Sequence, residues 1–345
     1  MGKKVKNKEI AERLGVSSTL VSLVLNNKAD QHGIRKDTQE RVLALARQMG
    51  YFDLVLEKTE TSSIEEKPGI IGMVIPAAND PFIYGIVPYL QKAFESIGFL
   101  FSVTTKDPDE TRAARIVAAY KKFFTGLILV GDAADDYVIR SLRAASFPFV
   151  LLEKSVSQMR LNTVCSDLSD GAQRVVNHIA KIGYKNVLII TDKYSPGSES
   201  YMIEILRNAF RNREGMNMPV IIELENTIAD NEIEFSQIEK YLRPPYSGEI
   251  MIILSSEMVY RVITTFRRKK VRIPQDIALI CMEEGIGFDL ICPSVTCLRK
   301  PMAGMALKVA NMIWTEVKNA GKSKYKRQVN MSPELVVRQS CGTIG

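Results

Sequence analysis

Between Asn7 and Asn26 the chain reads NKEIAERLGVSSTLVSLVLN, and Ile10, Ala11, Leu14, Val16, Val21, Val24 and Leu25 recur at three- and four-residue spacings. Such spacing predicts two short helices sharing one buried stripe. Gly15 interrupts the stripe where a turn is needed, and Ser17 is placed to cap the second helix by accepting from an otherwise unpaired helical N–H. Ser18, Thr19, Ser22, Leu23 and Asn26 are left facing outward. An ordinary surface hairpin would carry Glu and Lys there, whereas small hydroxyl and amide groups suit close approach to base edges and phosphates. After a polar loop, Asn27 to Gly33, a third helix is predicted over Thr38 to Met49. It has Val42, Leu45, Ala46 and Met49 on one face and Gly50 as its C-cap.

The pattern then changes. Residues 52–68, FDLVLEKTETSSIEEKP, have no clear period after Leu56 and read as a linker. From Gly69 onward apolar runs alternate with amphipathic stretches, which predicts parallel strands joined by crossover helices. Strands are expected at Ile70 to Ile75, Phe99 to Thr104, Gly126 to Val130, Phe149 to Leu152, Asn186 to Ile190, Val220 to Leu224, Ile250 to Leu254 and Ala278 to Met282. Helices are expected at Tyr84 to Ile97, Asp109 to Phe123, Asp135 to Ala145, Leu168 to Ile182, Ser198 to Arg213, Asn231 to Tyr241, Glu257 to Lys269 and Met302 to Asn319. These alternations could close as one barrel or split into two open sheets. A further apolar strand, Pro333 to Val337, follows the last helix and favours two sheets.

Composition adds a sign to the head. The 345 residues are 46% hydrophobic and 25% charged, as in an ordinary globular protein, with a formal charge of +7. Residues 1–50 hold ten Lys or Arg and five Asp or Glu, so the head carries +5 and everything after it +2. A basic head on a nearly neutral body is the footprint of nucleic-acid binding. The five cysteines, Cys165, Cys281, Cys292, Cys297 and Cys341, form no CxxC pair and read as reduced thiols of a cytoplasmic protein. Two histidines, His32 and His178, exclude a His-rich metal site, and no cofactor motif is present. No apolar run reaches membrane-spanning length, so no membrane partner is expected.

Together these residues resemble the lactose-repressor/galactose-repressor (LacI/GalR) family of bacterial transcription regulators, over nearly the whole length. The head carries Glu9-Ile10-Ala11, Gly15-Val16-Ser17, Val21-Ser22, Val24-Leu25-Asn26, Thr38-x-x-Arg41-Val42 and Gly50-Tyr51. The body carries Ile71 to Pro76, Asn79-Asp80-Pro81-Phe82, Gly126 to Val130, Val271 to Asp276, Val295 to Pro301 and Leu335 to Ser340, in the family's order. The resemblance implies an α/β body of two periplasmic-binding-protein-like (type I) lobes behind an all-α helix-turn-helix head. The expected domains are 1–51 for the head, 52–68 for the hinge and 69–345 for effector binding and dimerisation. The two lobes are expected to be 69–167 with 296–325 and 168–295 with 326–345.

By position, the resemblance implies that Ser18 and Thr19 point into the major groove, and that Ser17, Ser22 and Asn26 hold phosphates. Lys6 and Tyr51 complete the expected DNA-facing set. Leu23 departs from the family, which usually places Arg there, so the operator is expected to differ from those of better-known members. In relatives a hinge leucine wedges into the minor groove; here Glu60 stands at that place, and Leu54 or Leu56 would have to serve in a shifted register, unless this protein does not wedge. In the interlobe cleft, the family's ligand arginine aligns with Met202, an Asn-Asp pair with Ser255-Ser256, and a Gly-Phe-Asp-Asp run with Cys281 to Glu284. Phe82, Glu153, Met202, Ser256 and Glu283 are therefore the expected effector residues. Two carboxylates and an aromatic ring suit a polyhydroxy ligand such as a sugar or a derivative; solvated or salt-bridged acids are the bland alternative.

These expectations describe a non-enzymatic, homodimeric repressor that reads a near-palindromic double-stranded operator and is controlled by a small molecule. No GxGxxG, GxxxxGK[ST] or GxSxG motif supports catalysis, though Glu153 and Glu283 could form an acid/base pair. A ligand-binding protein with a vestigial head and a regulator controlled by a protein partner are the other readings. Arg267-Arg268-Lys269-Lys270 is the basic run that such a partner could use, although charge runs at helix ends mostly stabilise the dipole and stay solvated.

Overall fold

The computed structural model describes residues 6–25, 29, 32–49, 69–76, 81–107, 109, 112–154, 156, 159–193, 197–224, 233, 235–244, 247–323 and 326–342. The head is three helices: α1 (Asn7–Leu14), α2 (Ser18–Leu25) and α3 (Lys36–Gln48). Ile10, Ala11, Val21, Val24, Val42 and Ala46 are buried together, and Leu14, Val16, Leu25, Leu45 and Met49 pack against them. The predicted stripe is thus the core of the bundle. Gly15 takes a left-handed φ of 66° and donates its N–H to the Ala11 carbonyl, closing α1 in a conformation that costs glycine least. The expected caps and contacts of Gly50, Asn26 and the hinge lie outside the described residues.

The body holds two six-stranded sheets, which excludes a single barrel. The first comprises β1 (Ile70–Ile75), β2 (Leu100–Thr105), β3 (Gly126–Val130), β4 (Phe149–Leu152), β5 (Thr163–Ser166) and β11 (Gln328–Met331), in the order β11-β5-β4-β3-β1-β2. The second comprises β6 (Val187–Asp192), β7 (Val220–Leu224), β8 (Ile250–Ile253), β9 (Ala278–Cys281), β10 (Thr296–Arg299) and β12 (Glu334–Val336), in the order β12-β10-β9-β8-β6-β7. All pairings are parallel except β10 with β12. Central strands β3, β4, β8 and β9 are buried at every position, because helices cover both faces.

In the first sheet, α4 (Pro81–Glu95) and α11 (Met302–Lys318) contribute Ile86, Leu90, Phe94, Val309 and Ile313 to a core with Ile71 and Met73. On the other core of that lobe lie α5 (Ala113–Phe123) and α6 (Asp136–Ala144), through Val117, Ile139 and Leu142 with Leu127 and Leu129. In the second, α7 (Leu168–Ile182) and α8 (Gly197–Arg211) share a core with Ile189 and Ile252. The short α9 (Ser236–Glu239) and α10 (Ser256–Lys269) share another with Met251, Leu279 and Phe288.

Four expectations change. The strands β5, β10 and β11 were not foreseen, since TVCS, TCLR and QVNM are short and polar. Because β10 pairs with β9 and β11 with β5, the chain recrosses after Lys300 and after Met331 rather than near 295 and 325. Of the helix expected over Asn231 to Tyr241, the described residues hold α9 and one 3-10 turn, Lys240–Leu242. The N–H of Ile233 donates to Thr265 Oγ1 on α10 at 3.1 Å. Likewise α5 begins at Ala113, and the Asp107 carboxylate accepts the N–H of Asp109 at 2.8 Å.

Candidate DNA interface and effector site

On α2 the Ser17 hydroxyl oxygen accepts from the Leu20 N–H at 3.1 Å, the cap expected from sequence. Acting as acceptor there, it keeps its own O–H to donate outward. Ser17, Ser18 and Thr19 are exposed, while Ser22 and Leu23 are half-buried one turn further on. The helix has no acid in its first turn and no base in its last, so its exposed N-terminus combines a positive dipole end with three hydroxyls. Lys6 is exposed at the mouth of α1, where its carbonyl accepts from Glu9 at 2.9 Å. The first turn of α2 itself offers a phosphate no competing carboxylate. Asn26, Tyr51, Leu54 and Leu56 lie outside the described residues.

The five residues expected to hold an effector divide between strand ends and lobe interiors. Glu153 follows β4 with a left-handed φ of 54°, a conformation that side chains other than glycine rarely adopt. Its N–H donates to the Val164 carbonyl at 2.9 Å, and its Oε1 accepts the Ser166 N–H at 2.6 Å and the Ser166 hydroxyl at 2.9 Å. In the other lobe, Glu283 follows β9 and accepts the Ser256 N–H at 2.6 Å, at the start of α10, where a helix favours a negative charge. Each acid thus stands at the C-terminal edge of its own sheet, with one oxygen fixed by the chain.

The other three sit deeper than expected. Phe82 is 7% exposed and belongs to the first lobe's core with Ile71 and Ile83, because Pro81 opens α4 and its first turn already faces the sheet. It presents no open aromatic platform. Ser256 is 2% exposed, its neighbour Ser255 taking the N-cap position and accepting from Met258 at 3.3 Å. Met202 is half-buried against the second lobe's core. At the same edge the Thr191 hydroxyl donates to the Glu199 carboxylate from the first turn of α8, a pairing that sequence reading missed.

Also missed was an ion-pair knot in the second lobe. Glu284 accepts from Arg299 Nε at 2.6 Å and Nη2 at 2.7 Å, and from Arg338 Nη2 at 2.8 Å. Arg338 also donates to the Val295 carbonyl at 2.7 Å. Burial alone would push the Glu284 carboxyl up, but the two guanidinium groups hold it below the usual carboxylate range. Burial, with the Glu284 charge nearby, pushes the Cys297 thiol up to about 11. Cys281, its register partner in β9, is buried and likewise raised. These thiols are protonated packing groups, not nucleophiles. Among the described residues no group of three or more His, Cys, Asp or Glu could hold a metal ion, and no helix is long and apolar enough to cross a membrane.

Residues 8–52 match the family model of bacterial regulatory proteins, lacI family, and residues 176–341 match that of the periplasmic binding protein-like domain. The HTH-type transcriptional regulator DegA of Bacillus subtilis (strain 168) is 22% identical over 340 residues, covering 96% of both chains. The HTH-type transcriptional repressor PurR of Haemophilus influenzae (strain ATCC 51907 / DSM 11121 / KW20 / Rd) is 22% identical over 343 residues, covering 98% of both. Among solved structures, a LacI family transcriptional regulator from Enterococcus faecium with bound ribose aligns with a TM-score of 0.66 at 15% identity, over 80% of this chain and 100% of that one. A periplasmic binding protein/LacI transcriptional regulator from Alkaliphilus metalliredigens QYMF, complexed with D-xylulofuranose, aligns with a TM-score of 0.64 at 15% identity, over 80% and 100%.

Proposed function

Because the chain joins a LacI-type helix-turn-helix domain to a periplasmic-binding-protein-like domain, and its homologues are LacI-family regulators, we propose that it is a sequence-specific DNA-binding transcriptional regulator. It acts as a repressor whose operator affinity is set by a small molecule. The observation that carries this reading is the exposed, acid-free hydroxyl surface of α2, capped by Ser17 and held on a closed three-helix core. Ser18 and Thr19 read base edges, and Ser17, Ser22, Asn26 and Lys6 fix the register on phosphates. The protein works in the cytoplasm as a homodimer, its two heads reading half-sites of a near-palindrome. Exposed apolar side chains support self-association: Leu100 and Val103 on edge strand β2 and, in the other lobe, Ile286 and Leu290. Catalysis is no part of this function.

The effector in this reading is a sugar or sugar derivative, the class seen in the ribose and D-xylulofuranose complexes of relatives. Glu153 and Glu283, each at the C-terminal edge of its own sheet, are the residues of this chain suited to accept its hydroxyls. Their bonds to Ser166 and Ser256 favour a second reading, a regulator of this fold that answers to a protein partner or to no ligand, with both acids purely structural. Selection of duplexes from a random library by the full-length protein, with and without a panel of sugars, tests both. A recovered near-palindrome whose retention changes with one sugar supports the first reading, and a recovered site indifferent to every sugar supports the second. Failure to enrich any duplex removes the DNA-binding proposal altogether.

A further inference from the structure

At the edge of the first sheet opposite Glu153, where β4 and β5 begin, a cavity of about 150 Å³ is lined by Arg143, Arg160, Lys326, Asn162, Ser146 and Gly321. Three cations share this cavity. The acid beside them, Glu316, is 2% exposed and already bound, accepting Lys326 Nζ at 2.6 Å and Asn162 Nδ2 at 2.7 Å. Its charge offsets that of Lys326, whose side chain remains 23% exposed. Arg143 and Arg160 are exposed, and among the described residues neither guanidinium has a hydrogen-bond or ion-pair partner. No acid is among the described residues that line the cavity.

Like charges around one concavity repel unless an anion sits among them. The cavity is built rather than incidental. Asn162 is 5% exposed and is fixed at both ends, its Oδ1 accepting the Arg327 N–H at 2.9 Å. The turns after α6 and α11 meet so closely that a Cβ on Gly321, whose φ is 72°, would overlap the Ser146 carbonyl. From these observations we infer that the first lobe carries a second binding site, for one small oxyanion group such as a phosphate, held by Arg143, Arg160 and Lys326. Its volume is well below the roughly 300–1,000 Å³ of a pocket for a whole metabolite, so it takes the anionic group and leaves any attached moiety outside. Lying at the strands' N-terminal ends, it is separate from the sugar site proposed at their C-terminal ends.

The test is calorimetric titration of the full-length protein with inorganic phosphate, at an ionic strength fixed with chloride. One saturable site per chain is expected, weakened at least about tenfold in the R143Q/R160Q double variant, since charge-assisted hydrogen bonds are lost. Because both arginines are exposed, the variant's unfolding midpoint in chloride should match that of the parent. The R160K variant keeps the charge and loses the planar fork, so its affinity should fall by less. Absence of saturable uptake by the parent protein overturns the site. Undiminished affinity in the double variant also overturns it, by placing the phosphate elsewhere. No uptake, together with an altered salt dependence of duplex binding in the double variant, overturns it in favour of contacts to a DNA backbone.

Discussion

Glu153 receives both the backbone N–H and the side-chain hydroxyl of Ser166, at 2.6 and 2.9 Å, while holding a backbone conformation with φ of 54°. One side chain therefore ties the exit of β4 to the end of β5, thirteen positions along the chain. If ligand hydroxyls share this carboxylate, its structural and binding roles separate on substitution. Ser166→Ala is expected to cost about 1–2 kcal/mol in urea unfolding while leaving sugar affinity within twofold or so. Glu153→Gln is expected to reduce both. Equal sugar affinity in Glu153→Gln would leave the residue as a strand tie only.

Leu23 offers apolar contact where the family resemblance implies an arginine. Leu23→Arg should redirect the selected duplex toward guanine at one position in each half-site, with a preference of about 1–3 kcal/mol over other bases. Repeating the random-duplex selection with this variant gives the answer directly. An unchanged consensus would mean that α2 docks with Leu23 turned from the groove.

Ser17 and Thr19 should separate stability from readout. Ser17→Ala removes the cap on Leu20 and is expected to lower head stability by about 1 kcal/mol and to weaken all duplexes alike. Thr19→Val keeps the helix and should change the ranking of sequences. Parallel binding curves on a set of single-base duplex variants distinguish a uniform loss from a reordered one.

Acid should loosen the second lobe through Glu284. The carboxyl is held below its ordinary value in the folded chain, so the stabilisation is fully present above the unfolded value, about 4.3. It is lost as pH falls through the folded one. Glu284→Gln should therefore be less stable than the parent at neutral pH, and the gap should narrow steadily below about pH 4. Urea midpoints measured across that range test the sign; a gap that widens on acidification contradicts it.

Much of the body could be read from apolar runs. IIGMVI and GLILV announce β1 and β3 because helices bury both faces of those strands, so composition and structure coincide. TVCS, TCLR and QVNM do not, since those strands are short and are held by neighbours distant in sequence. The helix-turn-helix surface was readable for the same reason as β1: its spacing, turn and cap are local. Glu153 and Glu283 were readable as acids in the expected places, but their tethers to Ser166 and Ser256 lie thirteen and twenty-seven positions away. Arg338, fifty-four positions from Glu284, carries no local mark of its role. The burial of Phe82 was not readable, because periodicity gives a helix its buried side but not where its first turn meets the sheet.

The strand β11 carries a consequence for the order in which the molecule is made. It completes the first sheet, yet it lies at Gln328–Met331, after every strand of the second sheet except β12. On the ribosome, the lobe that begins first must wait with β5 unpaired on one side until Met331 has emerged, and the second lobe waits five residues longer for the end of β12. Neither sheet can be finished before the other is nearly so, and a nascent chain completes both within the same few residues of synthesis.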